Sequence, residues 1–249
     1  GMLLKGRKVD VYLGTGSLID KNTVKVVLNK GGQETLTTEA IIIATGSEPF
    51  VHSIFPDDRT RVMTSDEILN LETLPESLLI VGGGYIGCEF ATIFSELGTK
   101  VTVVEMLEGL IPVCDPEISK TLVKVMARNG IQLHLAAKVK QMVIQGDTVV
   151  TTLESGESIT TSLALISTGR APLSKNLGLE QVGVKLEKNY IVIDDQCRTN
   201  IPNIFAIGDV TGKVQLAHVA SRQADVAVNT LLGRDDREDY AVVPSAIYT

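Results

Sequence analysis

Three glycines at 82, 84 and 87 follow the apolar run Leu78-Leu-Ile-Val81, and an acid, Glu105, stands 18 residues beyond the last of them. The spacing is G-x-G-x-x-G. Ile86, Phe90, Ile93, Phe94 and Leu97 then recur at helical spacing, Gly98 stops them, and residues 100–105 read as a second strand ending on the acid. Strand, glycine turn, helix, strand and terminal acid together form the dinucleotide fingerprint. Gly82 permits the tight turn, Gly84 lets a pyrophosphate approach the backbone, and Gly87 lets helix and strand pack closely. The helix start presents unpaired N–H groups and a positive dipole end to phosphate. A carboxylate at 105 accepts from ribose hydroxyls and repels a 2′-phosphate, which selects NAD over NADP.

The elements that must position this turn are legible on either side. Residues 78–167 read as a Rossmann-like α/β unit. Its second helix starts at Asp115-Pro116, carries Ile118, Leu122, Val125 and Met126 as its stripe, and stops at Asn129-Gly130. Strands are expected at 131–135 and 163–167, with a three-stranded antiparallel meander at 138–144, 148–153 and 157–161 between them. Ahead of this unit lie an expected strand at 8–13, a break at 14–17, a hairpin at 23–28 and 34–38, and a short buried strand at 40–44. A connector at 48–77 holds a short helix capped by Ser65-Asp66 and running through Leu71. Behind it come a loop or single helical turn at 172–179, strands at 190–193 and 203–207, and a long helix at 214–232 with Ala217, Ala220, Ala224, Val228 and Leu231 on its face. Three buried strands end alike, in Thr45-Gly46, Thr168-Gly169 and Gly208-Asp209, and ligands sit at such carboxyl ends in open α/β sheets. The first and third flank the nucleotide unit. One second domain, 1–47 plus 168–243, interrupted by the first, is therefore the expected architecture, with 244–249 beginning another strand.

Composition narrows the function classes. The chain has 249 residues, 44% of them apolar, and a net charge of −7. An acidic chain is a poor partner for nucleic acid or a membrane surface. No run approaches a membrane span, and the first residues are too short and too charged for a signal peptide. Gly1 before Met2 reads as the scar of a cleaved tag. Cys88, Cys114 and Cys197 have no ligand or redox spacing, so free thiols in a reducing cytoplasm are expected.

Several residues carry a plainer reading beside a sharper one. Cys88 at a helix start invites a lowered pKa, but small buried cysteines are usually packing. Cys114 and Cys197 read as packing too. His52 and His134 read as loop and strand residues, and His218 lacks a neighbouring orienting partner. Asp57-Asp58 and Asp194-Asp195 read as solvated turns rather than metal ligands. The charged run 234–239 reads as a solvated linker. No catalytic residue and no metal ligand is expected within the chain. Glu89 faces water if it follows the habit of helical glutamates, or reaches the nicotinamide end.

On the motifs Ile42-Ile-Ala-Thr-Gly-Ser-Glu-Pro49, Leu79-Ile-Val-Gly-Gly-Gly-Tyr-Ile-Gly-Cys-Glu89, Val101-Thr-Val-Val-Glu105, Ser167-Thr-Gly-Arg-Ala-Pro172, Ile207-Gly-Asp209, Leu216-Ala-His218 and Pro244-Ser-Ala-Ile-Tyr-Thr249, the chain resembles the flavoprotein pyridine nucleotide-disulfide oxidoreductases, and within them the dihydrolipoamide dehydrogenases. The resemblance implies an NAD domain set into a partial FAD domain. It implies NAD contacts from Gly82, Gly84, Tyr85, Ile86, Gly87, Glu89, Glu105, Val139 and Gly169, with Tyr85 as a gate over the nicotinamide pocket. It also implies FAD contacts from Gly14, Thr45, Gly46, Ser47, Asp209, Gln215, Leu216, Ala217 and His218. For the full-length protein it implies a homodimer that oxidises dihydrolipoamide carried by the acyltransferase of a 2-oxoacid dehydrogenase complex.

The chain also departs from the family pattern. It has no earlier G-x-G-x-x-G for the ADP half of FAD, no cysteine pair four residues apart, and no dimerisation domain with its His-Glu base. An internal piece that is inactive by itself is the expectation. Two alternatives stand beside it: a mercuric or glutathione-type reductase, for which a basic residue after Glu105 is missing, and a stand-alone nucleotide-binding module.

Overall fold

The structure, a computed structural model, describes residues 2–249. Gly1, read above as a tag scar, lies outside them. The chain divides into two compact units, 49–171 with 246–249, and 1–48 with 172–245.

The first of these units is built on a five-stranded parallel sheet. Its order is Val62–Met63, Leu163–Ile166, Ser77–Val81, Lys100–Val104, Gln132–His134. Side chains alternate between its two faces, as the pleat requires. Leu78, Ile80, Val101, Val103, Leu163 and Leu165 pack under the helices Tyr85–Glu96 and Pro116–Arg128. Leu79, Val81, Val104, Ala164 and Ile166 face the antiparallel meander Val139–Gln145, Thr148–Leu153, Ser158–Thr161. Both faces are covered, so the central strands carry the unbroken apolar runs 78–81 and 163–166. Segment 48–77, expected as a connector, contributes the edge strand Val62–Met63. Its short helix spans Ser65–Ile68 and is capped by Thr64, not by Ser65-Asp66. Thr64 forms a capping box with Glu67: the threonine hydroxyl accepts from Asp66 N and the glutamate carboxylate accepts from Thr64 N.

Both long helices in this unit bury only part of the apolar stripe expected of them. Gly87, Cys88, Ala91 and Phe94 are the buried positions of the first, while Ile93 and Leu97 are exposed. Small residues bring a helix close to a sheet, and that close approach decides the face. In the second helix Leu122 and Met126 are buried, whereas Ile118 and Val125 are exposed. Each helix ends in a Schellman motif on a left-handed glycine. Thr99 N donates to Phe94 O and Gly98 N to Ser95 O in one, Ile131 N to Met126 O and Gly130 N to Ala127 O in the other.

The other unit has a parallel pair, Ile41–Ile43 with Ile204–Ala206, and a three-stranded antiparallel sheet, Gly14–Asp20, Thr23–Leu28, Gln33–Thr37. The expected strand at 8–13 is absent: these residues are exposed coil, and pairing begins at Gly14, which was read as a break. At the turn Asn22 N donates to the Asp20 carboxylate and Asn22 Nδ2 to Thr38 O, and a register shift between Leu18 and Asp20 then sets Gly14 opposite Leu28. A short helix lies at Leu179–Val182, later than the turn expected at 172–179, and the strand expected at 190–193 is a two-residue arm of the hairpin Leu186–Glu187/Tyr190–Ile191. Helix Ala217–Leu231 buries Val219, Gln223, Val226, Ala227 and Thr230 rather than the alanine-rich face. The charged run 234–239 is no free linker. Arg222 grips Asp236 through both guanidinium Nη atoms, and Asn229 Nδ2 donates to the same carboxylate at 2.8 Å. Among the described residues no helix is long and apolar enough to cross a membrane.

Candidate functional site: the glycine turn and its acid

Ser77–Val81 sits at the switch point of its sheet: the chain moves from it to Lys100–Val104 on one side, and Leu163–Ile166 pairs on the other. Ligands of open α/β sheets bind outside the carboxyl ends of strands at this point, and the glycine turn is there. Gly82 has φ +110, and a Cβ on it would lie 2.4 Å from Ser167 O. A Cβ on Gly87 would lie 2.0 Å from Gly82 O. These two glycines are imposed by close backbone approach. Gly84 differs. It is the N-cap of helix Tyr85–Glu96, no side chain caps that end, and a Cβ there would meet nothing within 4 Å. The space in front of the helix start is therefore open, as a pyrophosphate cradle requires.

Glu105 is buried against the turn. Its Oε2 accepts from Gly83 N at 2.6 Å and its Oε1 from Leu107 N at 2.8 Å. A carboxylate offers about four acceptor sites, so two amide donors leave capacity for ribose hydroxyls. Gly83, Ser167 and Ile111 were not singled out from the sequence. A Cβ on Gly83 would lie 2.5 Å from Leu110 Cδ2 and 3.1 Å from Glu105 Cβ. Ser167 Oγ donates to Val81 O and Gly82 O, latching the turn to the neighbouring strand. The third glycine in Gly82-Gly83-Gly84 was a visible signal, since the fingerprint does not demand it. Nothing in the sequence marked Ile111.

The remaining nucleotide candidates spread around this centre. Ile86 is half-buried in the first helical turn. Tyr85 packs on the helical side of the sheet, with its hydroxyl 3.3 Å from Cys114 Sγ. Glu89 accepts from Tyr248 N at 3.0 Å. Val139 begins the meander and packs on the opposite face of the sheet. Gly169 follows Leu163–Ile166 with φ +127, and its carbonyl accepts from Phe50 N. The Cys88 thiol is fully buried and donates to Gly83 O at 3.4 Å. Burial first, then Glu105 and Glu89, push its pKa up to about 12, so it is packing rather than a nucleophile.

In the other unit the expected flavin residues gather only in part. At the carboxyl ends of the parallel pair, Ser47 Oγ donates to Asp209 Oδ2 at 2.6 Å and Thr45 Oγ1 to Leu173 O at 2.6 Å, with Gly46 at φ +72 between them. Gly208 N donates to the buried Gln223 Oε1 at 2.6 Å. Leu216 is the N-cap of Ala217–Leu231, and Gln215, Ala217 and His218 are exposed at its start. Gly14 lies in the antiparallel sheet, where a Cβ would be 2.1 Å from Val27 O.

A switch-point glycine turn answered by a buried acid, in a unit that interrupts a second α/β unit, is the architecture of a nucleotide-linked redox family. Residues 2–224 match the family described as pyridine nucleotide-disulphide oxidoreductase, and the chain belongs to it. Members of this family use FAD and NAD or NADP. Among its relatives, the dihydrolipoyl dehydrogenase of Chlamydia muridarum is 41% identical over 250 residues, 99% of this chain and 53% of the relative. The dihydrolipoyl dehydrogenase of Geobacillus stearothermophilus is 36% identical over 251 residues, again 53% of its length. The crystal structure of LpdA from Mycobacterium tuberculosis superposes with a TM-score of 0.94 at 30% identity, over all of this chain and 56% of that one. This chain thus spans about half the length of the curated relatives it matches.

Proposed function

We propose that this chain forms the NAD-binding centre of a dihydrolipoamide dehydrogenase. The observation that carries the reading is the uncapped helix start at Gly84, open in front and flanked by the Glu105 carboxylate that tethers Gly83. The first-turn amides of 84–87 bind the pyrophosphate, and Glu105 accepts from the adenosine ribose and repels a 2′-phosphate. Tyr85, Ile86, Glu89, Val139 and Gly169 complete the nucleotide site. Bound NAD supplies the hydride acceptor of the reaction. Thr45, Gly46, Ser47 and Asp209 would hold FAD through hydroxyl, carboxylate and backbone groups, with Gly14 and residues 215–218 at its borders. The Ser47–Asp209 pair already stands at the carboxyl ends of a parallel pair, which fits that group. The full-length protein oxidises dihydrolipoamide on an acyltransferase partner in the cytoplasm as a homodimer. The 249-residue chain, with no cysteine pair of redox spacing, does not.

Calorimetric titration with NADH and NADPH tests the reading. Tighter NADH binding is expected. A preference for NADPH would move the protein to another member of the family, and binding of neither would remove the nucleotide role. Oxidation of dihydrolipoamide by the purified chain would sink the expectation of inactivity.

A further inference from the structure

Ile111 is a β-branched residue in the left-handed region, with φ +43. Such residues are genuine outliers, and outliers that persist are held by their surroundings and cluster at functional sites. Here the holder is visible. The Ile111 side chain is fully buried in the core beside Leu110, Leu122 and Met126. Its carbonyl accepts from Cys114 N at 2.9 Å, and the preceding Leu110 carbonyl accepts from Ser119 Oγ at 2.6 Å. What this posture delivers is one backbone donor: Ile111 N donates to Gly83 O at 2.7 Å.

That carbonyl belongs to the same planar peptide as the Gly84 N–H, and in a trans peptide the two point in opposite directions. Fixing the Gly83 carbonyl therefore fixes the direction of the Gly84 N–H at the open helix start. On the other side of residue 83, Glu105 Oε2 holds the Gly83 N–H at 2.6 Å. The loop after Lys100–Val104 thus clamps residue 83 by both of its backbone polar groups.

We propose that Ile111 is a positioning residue for nucleotide binding: its strained backbone, anchored by its buried side chain, orients the Gly83–Gly84 peptide toward the pyrophosphate. This rests on the NAD-binding reading above. A truncated side chain frees residue 111 to leave the left-handed region and release the carbonyl.

The test is NADH binding, followed by nucleotide fluorescence on the intact chain at equal folded fraction. Ile111→Ala should weaken NADH about tenfold, or about 1.4 kcal/mol, and Ile111→Val, which keeps the buried branch, should restore it to within about twofold of wild type. Leu163→Ala, a truncation in the same core opposite Leu78, at the end of the strands away from the turn, should lower the melting temperature comparably but leave binding within about twofold. Equal weakening by Leu163→Ala, or none by Ile111→Ala, would overturn the proposal. If Ile111→Ala does not fold, amide exchange in the wild type decides: saturating NADH should slow exchange at Ile111 more than at Ile131, and equal slowing would overturn the proposal. Failure of the wild type to bind NADH at all is a different result, because it removes the nucleotide reading itself.

Discussion

Glu105 Oε2 lies 2.6 Å from the amide nitrogen of Gly83, so the acid at the end of one strand is fastened to the turn at the end of its neighbour. The carboxylate therefore has a structural duty in addition to the proposed ribose contact. Replacing it by alanine strands the buried amide at Gly83 and removes the acceptor of Leu107 N. Glu105→Ala should lose about 1–3 kcal/mol of stability for the unsatisfied buried donor and should also weaken NADH. Denaturant unfolding and nucleotide titration of the same variant check both. A variant as stable as wild type would show that the tether is dispensable.

The glycines separate binding from folding. Gly84 has an ordinary φ of −76 and open space where a Cβ would project. Gly84→Ala should change stability by less than about 1 kcal/mol while obstructing the pyrophosphate and weakening NADH by about tenfold or more. Gly87→Ala should do the reverse in order of severity. Its Cβ would stand 2.0 Å from Gly82 O, and the overpacking should cost about 1–3 kcal/mol or more. Thermal melts and NADH titrations of the pair give the comparison.

Thiol chemistry distinguishes the three cysteines. Cys88 and Cys197 are fully buried, and burial above all pushes each thiol from 9.0 up to about 12. Cys114 is partly exposed. At pH 8 native protein should react quickly with a chromogenic disulfide at Cys114 alone, and at all three after denaturation. The sign for stability follows. A thiol whose pKa is raised by folding supports the native state below its usual value, and that support is lost as pH rises from about 9 toward 12, where the unfolded chain ionises first. Alkaline melts should show a decline in this window that Cys88→Ala reduces.

Asp236 ties down the charged stretch after the last helix. Its hydrogen bonds from Arg222, and next from Asn229, hold the carboxyl well below its usual 3.8. A lowered carboxylate pKa gives support that is present above the usual value and is lost as pH falls through the folded one. Asp236→Asn should speed tryptic cleavage after Arg234 and Arg237 at neutral pH with little effect on NADH binding. Unchanged cleavage would mean the segment is held by other contacts.

The parallel core and the turn were legible because they rest on local rules. A run such as Leu78-Leu-Ile-Val81 is buried on both faces, and glycine at 82 and 87 is forced by backbone approach that no other residue tolerates. Helix faces were less legible. Hydrophobicity pointed to Ile93 and Leu97 along with Phe94, but closeness to the sheet left the first two outside and buried Ala91 beside Gly87 and Cys88, a size criterion that an apolar pattern does not carry. The strand beginning at Gly14 was hidden for a related reason: glycine reads as a break, and only the register with Leu28 shows that Val27 O leaves no room for a side chain. Ile111 was invisible because its importance lies in a backbone angle and one N–H, neither of which residue type announces.

The parallel pair Ile41–Ile43 with Ile204–Ala206 has a kinetic consequence. Ile42 and Phe205 are register partners although the whole of 49–171 intervenes. Closing so long a loop carries an entropy cost that grows with its length, and nonlocal pairing of this kind slows folding. The intervening unit is continuous in sequence apart from its last four residues, and its collapse shortens the distance the two strands must search. Folding should therefore be ordered, with 49–171 gaining exchange protection first and the 41–43/204–206 pair last. A lesion such as Gly87→Ala would then delay the assembly of strands it never touches.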